Sequence, residues 1–97
     1  MKIEKRIKNK LISDIDPTEI SVINQSHLHK GHDGYSPNSH FSVKVISHQF
    51  KGKSRLDRHK MVYNSLSELI ESEIHALKIK ALTPAEFGIL KREKYEI

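Results

Sequence analysis

The stretch Phe41-Ser42-Val43-Lys44-Val45, followed by Lys51-Gly52-Lys53-Ser54 and a long apolar stripe, decides the fold of this chain. Side chains on a strand alternate between faces, so Phe41, Val43 and Val45 form one apolar face while Ser42 and Lys44 form the other. Lys51-Gly52-Lys53 reads as a turn. Ser54 is placed to cap a helix, its hydroxyl accepting a backbone N–H of the first turn. Leu56, His59, Tyr63, Leu66 and Ile70 then recur at spacings of three and four, which marks one helical face, widened by Val62 and Leu69. A strand leading into an amphipathic helix points to a layered domain of sheet and helices.

Working outward, Ile3, Ile7 and Leu11 repeat every four residues among charged neighbours and predict a first helix. Asp16-Pro17 ends it, because proline disfavours helix at the residue before it. Ile20 and Val22 alternate with polar residues in a short strand running to about Asn24. Residues 25–39 are polar, contain two glycines and a proline, and form a loop long enough to be functional or disordered. On the far side, a strand is predicted from Ile74 to about Ala81, with His75, Leu77 and Ile79 sharing a face. Thr83-Pro84-Ala85-Glu86 is a capping box with proline at the first helical position. It opens a last helix that runs to about Lys94, turns Phe87 and Leu90 inward, and leaves a tail over 92–97. The expected order is α-β-β-α-β-α: an α/β (α+β) domain with one three-stranded sheet packed with helices.

The chain has 97 residues, enough for a single domain over 1–97 that buries about two-thirds of its unfolded surface and leaves little volume for a deep catalytic pocket. With three Phe, three Tyr and no Trp, its core must rest on Ile, Leu and Val. No cysteine is present, which excludes disulfides, a thiol nucleophile and any thiolate ligand from this chain. The N-terminal Met1-Lys2-Ile3-Glu4-Lys5-Arg6 is charged and periodic, unlike a signal peptide, and no apolar run is long enough to span a membrane. A cytoplasmic protein is expected. The net charge of +5 favours acidic or phosphate-rich partners, or serves only solubility.

Candidate chemistry is concentrated in histidine. Gly52-Lys53-Ser54 is no phosphate loop, since that motif needs glycine at position 47, where this chain has Ser47. A Ser/His/Asp triad lacks any positioned nucleophile. His27, His29 and His32 crowd the polar loop and His40 follows it, among seven histidines in all. Imidazole is a ligand for zinc, copper and iron, although loop histidines are often only solvated. On its own, His75 reads as a hydrogen-bonded group at the edge of a core rather than as a ligand, and His59, within the apolar stripe of its helix, more strongly so. Arg58 and Lys60 should project to either side of their helical stripe, free for solvent or a partner; the alternative is that Arg58 and His59 brace the helix against the sheet.

Ser39-His40-Phe41, Phe50-Lys51-Gly52 and Arg58-His59-Lys60-Met61-Val62-Tyr63 together resemble the signature of the BolA-like family. That signature is a Ser/Thr-His-Phe strand, a Phe-x-Gly turn and an Arg-His-Arg/Lys helix. Ile74-His75-Ala76-Leu77 resembles the family's second hallmark, and Thr83-Pro84-Ala85-Glu86-Phe87 its closing Thr-Pro-x-Glu/Gln-Trp, with Phe in place of Trp. The resemblance runs from the first helix to about Leu90. It implies a fold like the class II KH domain, with a mixed three-stranded sheet. Gly52-Lys53-Ser54-Arg55 lacks the second glycine of the Gly-x-x-Gly loop with which KH domains grip RNA.

The resemblance further implies a non-enzymatic partner of a monothiol glutaredoxin, the two sharing a 2Fe–2S cluster to which the glutaredoxin adds its cysteine and a bound glutathione. His75 then matches one family ligand. The second comes from the loop between the first two strands, with His29 the best match and His32 and His40 as alternates. Histidine ligation raises the cluster potential and requires neutral imidazole. The free chain is expected to be a monomer without a cluster of its own. The alternative implied function is a DNA-binding transcriptional regulator of stress response and cell morphology, for which Lys51, Lys53, Arg55, Arg58 and Lys60 are the candidate contacts. A plain interaction domain is the third.

Overall fold

Ile3, Ile7, Leu11 and Ile15 lie on one stripe of helix α1 (Ile3–Ile15) and are all buried in the computed structural model, which describes residues 2–25 and 40–95, with side chains described through residue 89. Asp16 closes α1 in the left-handed region at φ 50°, its N–H donating to the Ile12 carbonyl. Pro17 follows, which keeps Asp16 out of the right-handed helical region. Strand β1 (Glu19–Asn24) pairs antiparallel with β2 (His40–Ile46), and β2 pairs parallel with β3 (Ala76–Leu82). The result is one mixed sheet of order β1-β2-β3, with β2 central.

Alternation along β2 works as expected. Phe41, Val43 and Val45 are fully buried and meet α1 together with Phe50, Val62, Leu66, Leu69 and Ile74. Opposite them in register, Ile20 and Val22 of β1 and Leu77 and Ile79 of β3 pack around the same core. Ser42, Lys44, Lys78 and Lys80 share the other face of the sheet.

Ser47 locks the end of β2 to its surroundings. It is completely buried, donates its hydroxyl to the Ile15 carbonyl at 2.8 Å, and accepts the Gln49 N–H at 3.1 Å. Its backbone N–H donates to the Leu82 carbonyl at 2.9 Å. One serine thus joins α1, β2, β3 and the 3₁₀ turn His48–Phe50 that carries the buried Phe50.

Two expectations need correction. The long helix is broken into α2 (Arg55–Ser65) and α3 (Ser67–Ser72), with Leu66 between them at φ −100°, ψ 11°. The break lets Leu66 and Leu69 reach the core, and Leu56 and Tyr63, expected inside, are exposed (64% and 42%). The rest of the expected face holds: Val62, Leu66 and Leu69 are buried, with Ser65 beside them, and Ile70 packs against the core. The other correction concerns β3, which starts at Ala76 rather than Ile74. The Ile74 N–H still closes the exit of α3 by donating to the Leu69 carbonyl, so Ile74 and His75 belong to that bend.

Helix α4 (Pro84–Tyr95) begins with the capping box read from the sequence. The Glu86 N–H donates to Thr83 Oγ1 at 3.2 Å, and the Thr83 N–H donates to Glu86 Oε1 at 2.8 Å. Phe87 is half-buried, with Lys44 Nζ 5.1 Å from its ring centre, so it packs on the lysine face of the sheet. Leu90 lies beyond the described side chains. Among the described residues, no helix is long and apolar enough to cross a membrane.

Candidate functional site

His40 opens the central strand β2, and its register partner on β3 is Ala76, the residue directly after His75. Parallel pairing therefore brings two histidines, 35 positions apart in the chain, to the same end of the sheet. Their ring centres are 6.2 Å apart with the planes at 79°, an edge-on contact. His75 is exposed, whereas His40 is half-buried with its Nδ1 inside the protein. His29 and His32, the other histidines considered as ligands, lie outside the described residues.

Two adjacent imidazoles can ligate a metal through neutral nitrogen, or orient one another. They do not make a complete site. Among the described residues, no group of three His, Cys, Asp or Glu side chains could hold a metal ion. The donor chemistry suits iron, zinc or copper in kind, with further ligands needed from elsewhere.

The basic segment divides into two parts. Lys51, Lys53, Arg55 and Lys60 are exposed, as expected. Arg58 is not free for a partner. Its side chain is 12% exposed and forms a two-pronged ion pair with Glu86, at 2.6 Å and 3.3 Å. Its Nε donates to the Lys53 carbonyl at 3.0 Å, one Nη donates to the Ala81 carbonyl at 3.2 Å, and the guanidinium lies 6.0 Å from the centre of the Phe50 ring. A planar group with five donors can satisfy several acceptors at once, which makes arginine suited to this place. Arg58 therefore joins the turn before α2, strand β3 and the start of α4. The hydrogen bonds from Arg58, and then that from the Thr83 N–H, hold the Glu86 carboxyl at about 2, below its ordinary 4.5.

Lys53, Arg55 and His59 line a cleft of about 470 Å³ together with Lys80 and the rest of the last part of β3. The sequence did not reveal this cleft, because β3 and the start of α2 meet only in the folded chain. Glu86 lies in it but is engaged by Arg58.

The BolA-like protein family model matches residues 11–86, which takes in the sheet, both histidines and the Arg58–Glu86 pair. The chain belongs to the BolA-like family. It is 39% identical over 87 residues to SufE-like protein 1 of Arabidopsis thaliana, an alignment covering 84% of this chain and 24% of that protein. It is 34% identical to the DNA-binding transcriptional regulator BolA of Escherichia coli, over 90% of this chain and 81% of the relative. The chain spans about a quarter of SufE-like protein 1 and about half of the chloroplastic protein BOLA1 of the same plant (24% and 53%). The solved BolA domain of SufE1 from Arabidopsis thaliana superposes with a TM-score of 0.78 at 42% identity, covering 87% of this chain and 94% of that domain. This BolA-like chain therefore has the family's mixed α+β architecture.

Proposed function

We propose that this BolA-like protein is a non-enzymatic, cytoplasmic binding module that partners a monothiol glutaredoxin in iron–sulfur cluster trafficking and iron homeostasis, sharing a 2Fe–2S cluster with it. The observation that supports this reading is the edge-on pair of His40 and the exposed His75 at one end of the sheet. His75 is available to an incoming partner, and His40 is fixed by the central strand. In the proposed complex His75 ligates iron, and a second imidazole comes from the segment leading into β2. Either His40 supplies it, or His29 does, with His32 as the alternate and His40 orienting His75 from behind. When bound, the cluster supplies one-electron redox chemistry at a potential that histidine ligation raises. The glutaredoxin contributes cysteine and glutathione thiolates, ligands a cysteine-free chain cannot provide.

The test is anaerobic mixing with a monothiol glutaredoxin, glutathione, iron and sulfide, followed by visible absorption and circular dichroism. His75→Ala should abolish the spectrum distinctive of the mixed complex. Comparing His40→Ala with His29→Ala then identifies the second ligand. Unchanged spectra for all three variants would overturn the reading.

A second reading, DNA binding, is favoured by the names of the Escherichia coli relative and of the 33% identical Haemophilus influenzae regulator, together with the exposed Lys51, Lys53, Arg55 and Lys60. Each phosphate neutralised by a cation releases counterions, so replacing Lys53 and Arg55 by glutamine should flatten the log–log salt dependence by about two. An unchanged slope would remove these residues from any DNA contact.

A further inference from the structure

Strand β3 is an edge strand, and its free edge borders the cleft lined by Lys53, Arg55 and Lys80. The hydrogen bonds give the direction of its backbone groups. The Leu82 carbonyl accepts the Ser47 N–H, so Leu82 faces β2, and by alternation Lys80, Lys78 and Ala76 do so too. The Ala81 carbonyl accepts from Arg58 on the opposite side. The N–H and C=O groups of Leu77 and Ile79 therefore point outward, and among the described residues nothing pairs with them. Unpaired edge groups are a template for another strand.

The charges around this edge restrict which strand can add. Lys80 stands directly beside Lys44 in the parallel register, a like-charge pair that opposes sheet formation unless an anion lies nearby. Lys78 is exposed on the same face, and Lys53 and Arg55 line the cleft together with Lys80. Glu86, the one acid among the described residues lining the cleft, is already held by Arg58. Lysines on an edge repel a second copy of a basic strand and attract an acidic one. On the other face, an added strand would lie beside Leu77 and Ile79, which are half-buried and apolar.

We propose that the outer edge of β3 is a docking site for an extended peptide segment of a partner protein, added as a fourth strand with acidic side chains on the Lys78–Lys80 face and apolar side chains on the Ile79 face. Backbone pairing supplies affinity, and the alternation of acidic with apolar residues supplies selection. Neither iron nor glutaredoxin is required, so the site can be tested independently of the cluster.

The probe is a blocked hexapeptide alternating glutamate and valine, titrated into the full chain while backbone amides are followed by NMR. At saturation, amide exchange at Leu77 and Ile79 should slow at least tenfold. In an added strand, either the glutamates or the valines direct their N–H groups to β3. Of two peptides N-methylated at all glutamates or at all valines, one should therefore bind like the parent and the other at least tenfold more weakly. A lysine–valine peptide should not bind, and Lys78→Glu with Lys80→Glu should weaken the glutamate–valine peptide at least tenfold. Equal binding of both methylated peptides, or of the lysine–valine peptide, would overturn strand addition. Unchanged exchange at Leu77 and Ile79 would do the same. Protection of those amides by a DNA duplex but not by the peptide would assign the cleft to nucleic acid and overturn the proposal.

Discussion

Arg58→Ala should destabilise the protein by about 3 kcal/mol, more than any other substitution on the basic segment. The guanidinium makes four hydrogen bonds to three separate parts of the chain and is 12% exposed. Hydrogen bonds to a charged group contribute about 1.5–3 kcal/mol, and neutral ones about 1 kcal/mol. Glu86 is 44% exposed, so solvent screening reduces the ion pair to about 1 kcal/mol. The Lys53 and Ala81 carbonyls and the packing of the side chain on Phe50 supply the remainder. Against a typical domain stability of about 5–15 kcal/mol this is a large loss. Urea denaturation followed by circular dichroism measures it directly, and Arg58→Lys should recover little, because an ammonium cannot reproduce the fork. The same pair sets an acid-side dependence. The folded Glu86 titrates at about 2 rather than its ordinary 4.5, so its contribution is present above about 4.5 and is lost as pH falls toward 2. Arg58→Ala should flatten that part of the stability–pH curve. A loss below about 1 kcal/mol with an unaltered acid limb would refute the bracing role.

Ser47→Ala should cost about 1–3 kcal/mol in the same denaturation assay, since it strips a buried hydroxyl from the Ile15 carbonyl and the Gln49 N–H. Leu66→Ala should cost about 2–5 kcal/mol while Leu56→Ala stays within about 0.5 kcal/mol; the reverse order would mean that α2 presents the opposite face. Gly52→Ala should cost about 1–2 kcal/mol even though a Cβ there would meet nothing within 4 Å, because φ is +75°. A neutral result in thermal melts would show that the turn relaxes to a conformation open to L-residues.

The strand at 41–45 and the capping box at 83–86 were legible because each depends on neighbours in sequence: alternation for the first, reciprocal side-chain bonds for the second. The helix after Ser54 is legible at its start, where Ser54 accepts the Asp57 N–H, and in the inward placing of Val62, Leu66, Leu69 and Ile70, but not in the exposure of Leu56 and Tyr63. A three–four repeat through Leu56 and Tyr63 and one through Val62 and Leu69 overlap in this segment. Only the break at Leu66 and the position of the sheet choose between them. Arg58 could not be assigned from local pattern, since its acceptors come from residues 53, 81 and 86. The pairing of His40 with His75 depends on parallel register across a long crossover, and no local motif encodes register. Ser47 gave no sequence signal beyond being a polar residue at the end of a strand.

The core draws on residues from Ile3 to Ala81, and Arg6 reaches Glu73 across 67 positions. During synthesis this separation delays closure. Helix α1 emerges before the strands that cover it, carrying Ile3, Ile7, Leu11 and Ile15 as an uncovered greasy stripe. The antiparallel β1–β2 pair gives it only a partial roof. The parallel partner β3 emerges last of the sheet, after the whole crossover, and long-range parallel pairing is slow. Throughout that interval the nascent chain presents a sticky helix and an incomplete sheet, the kind of surface that chaperones at the exit tunnel engage.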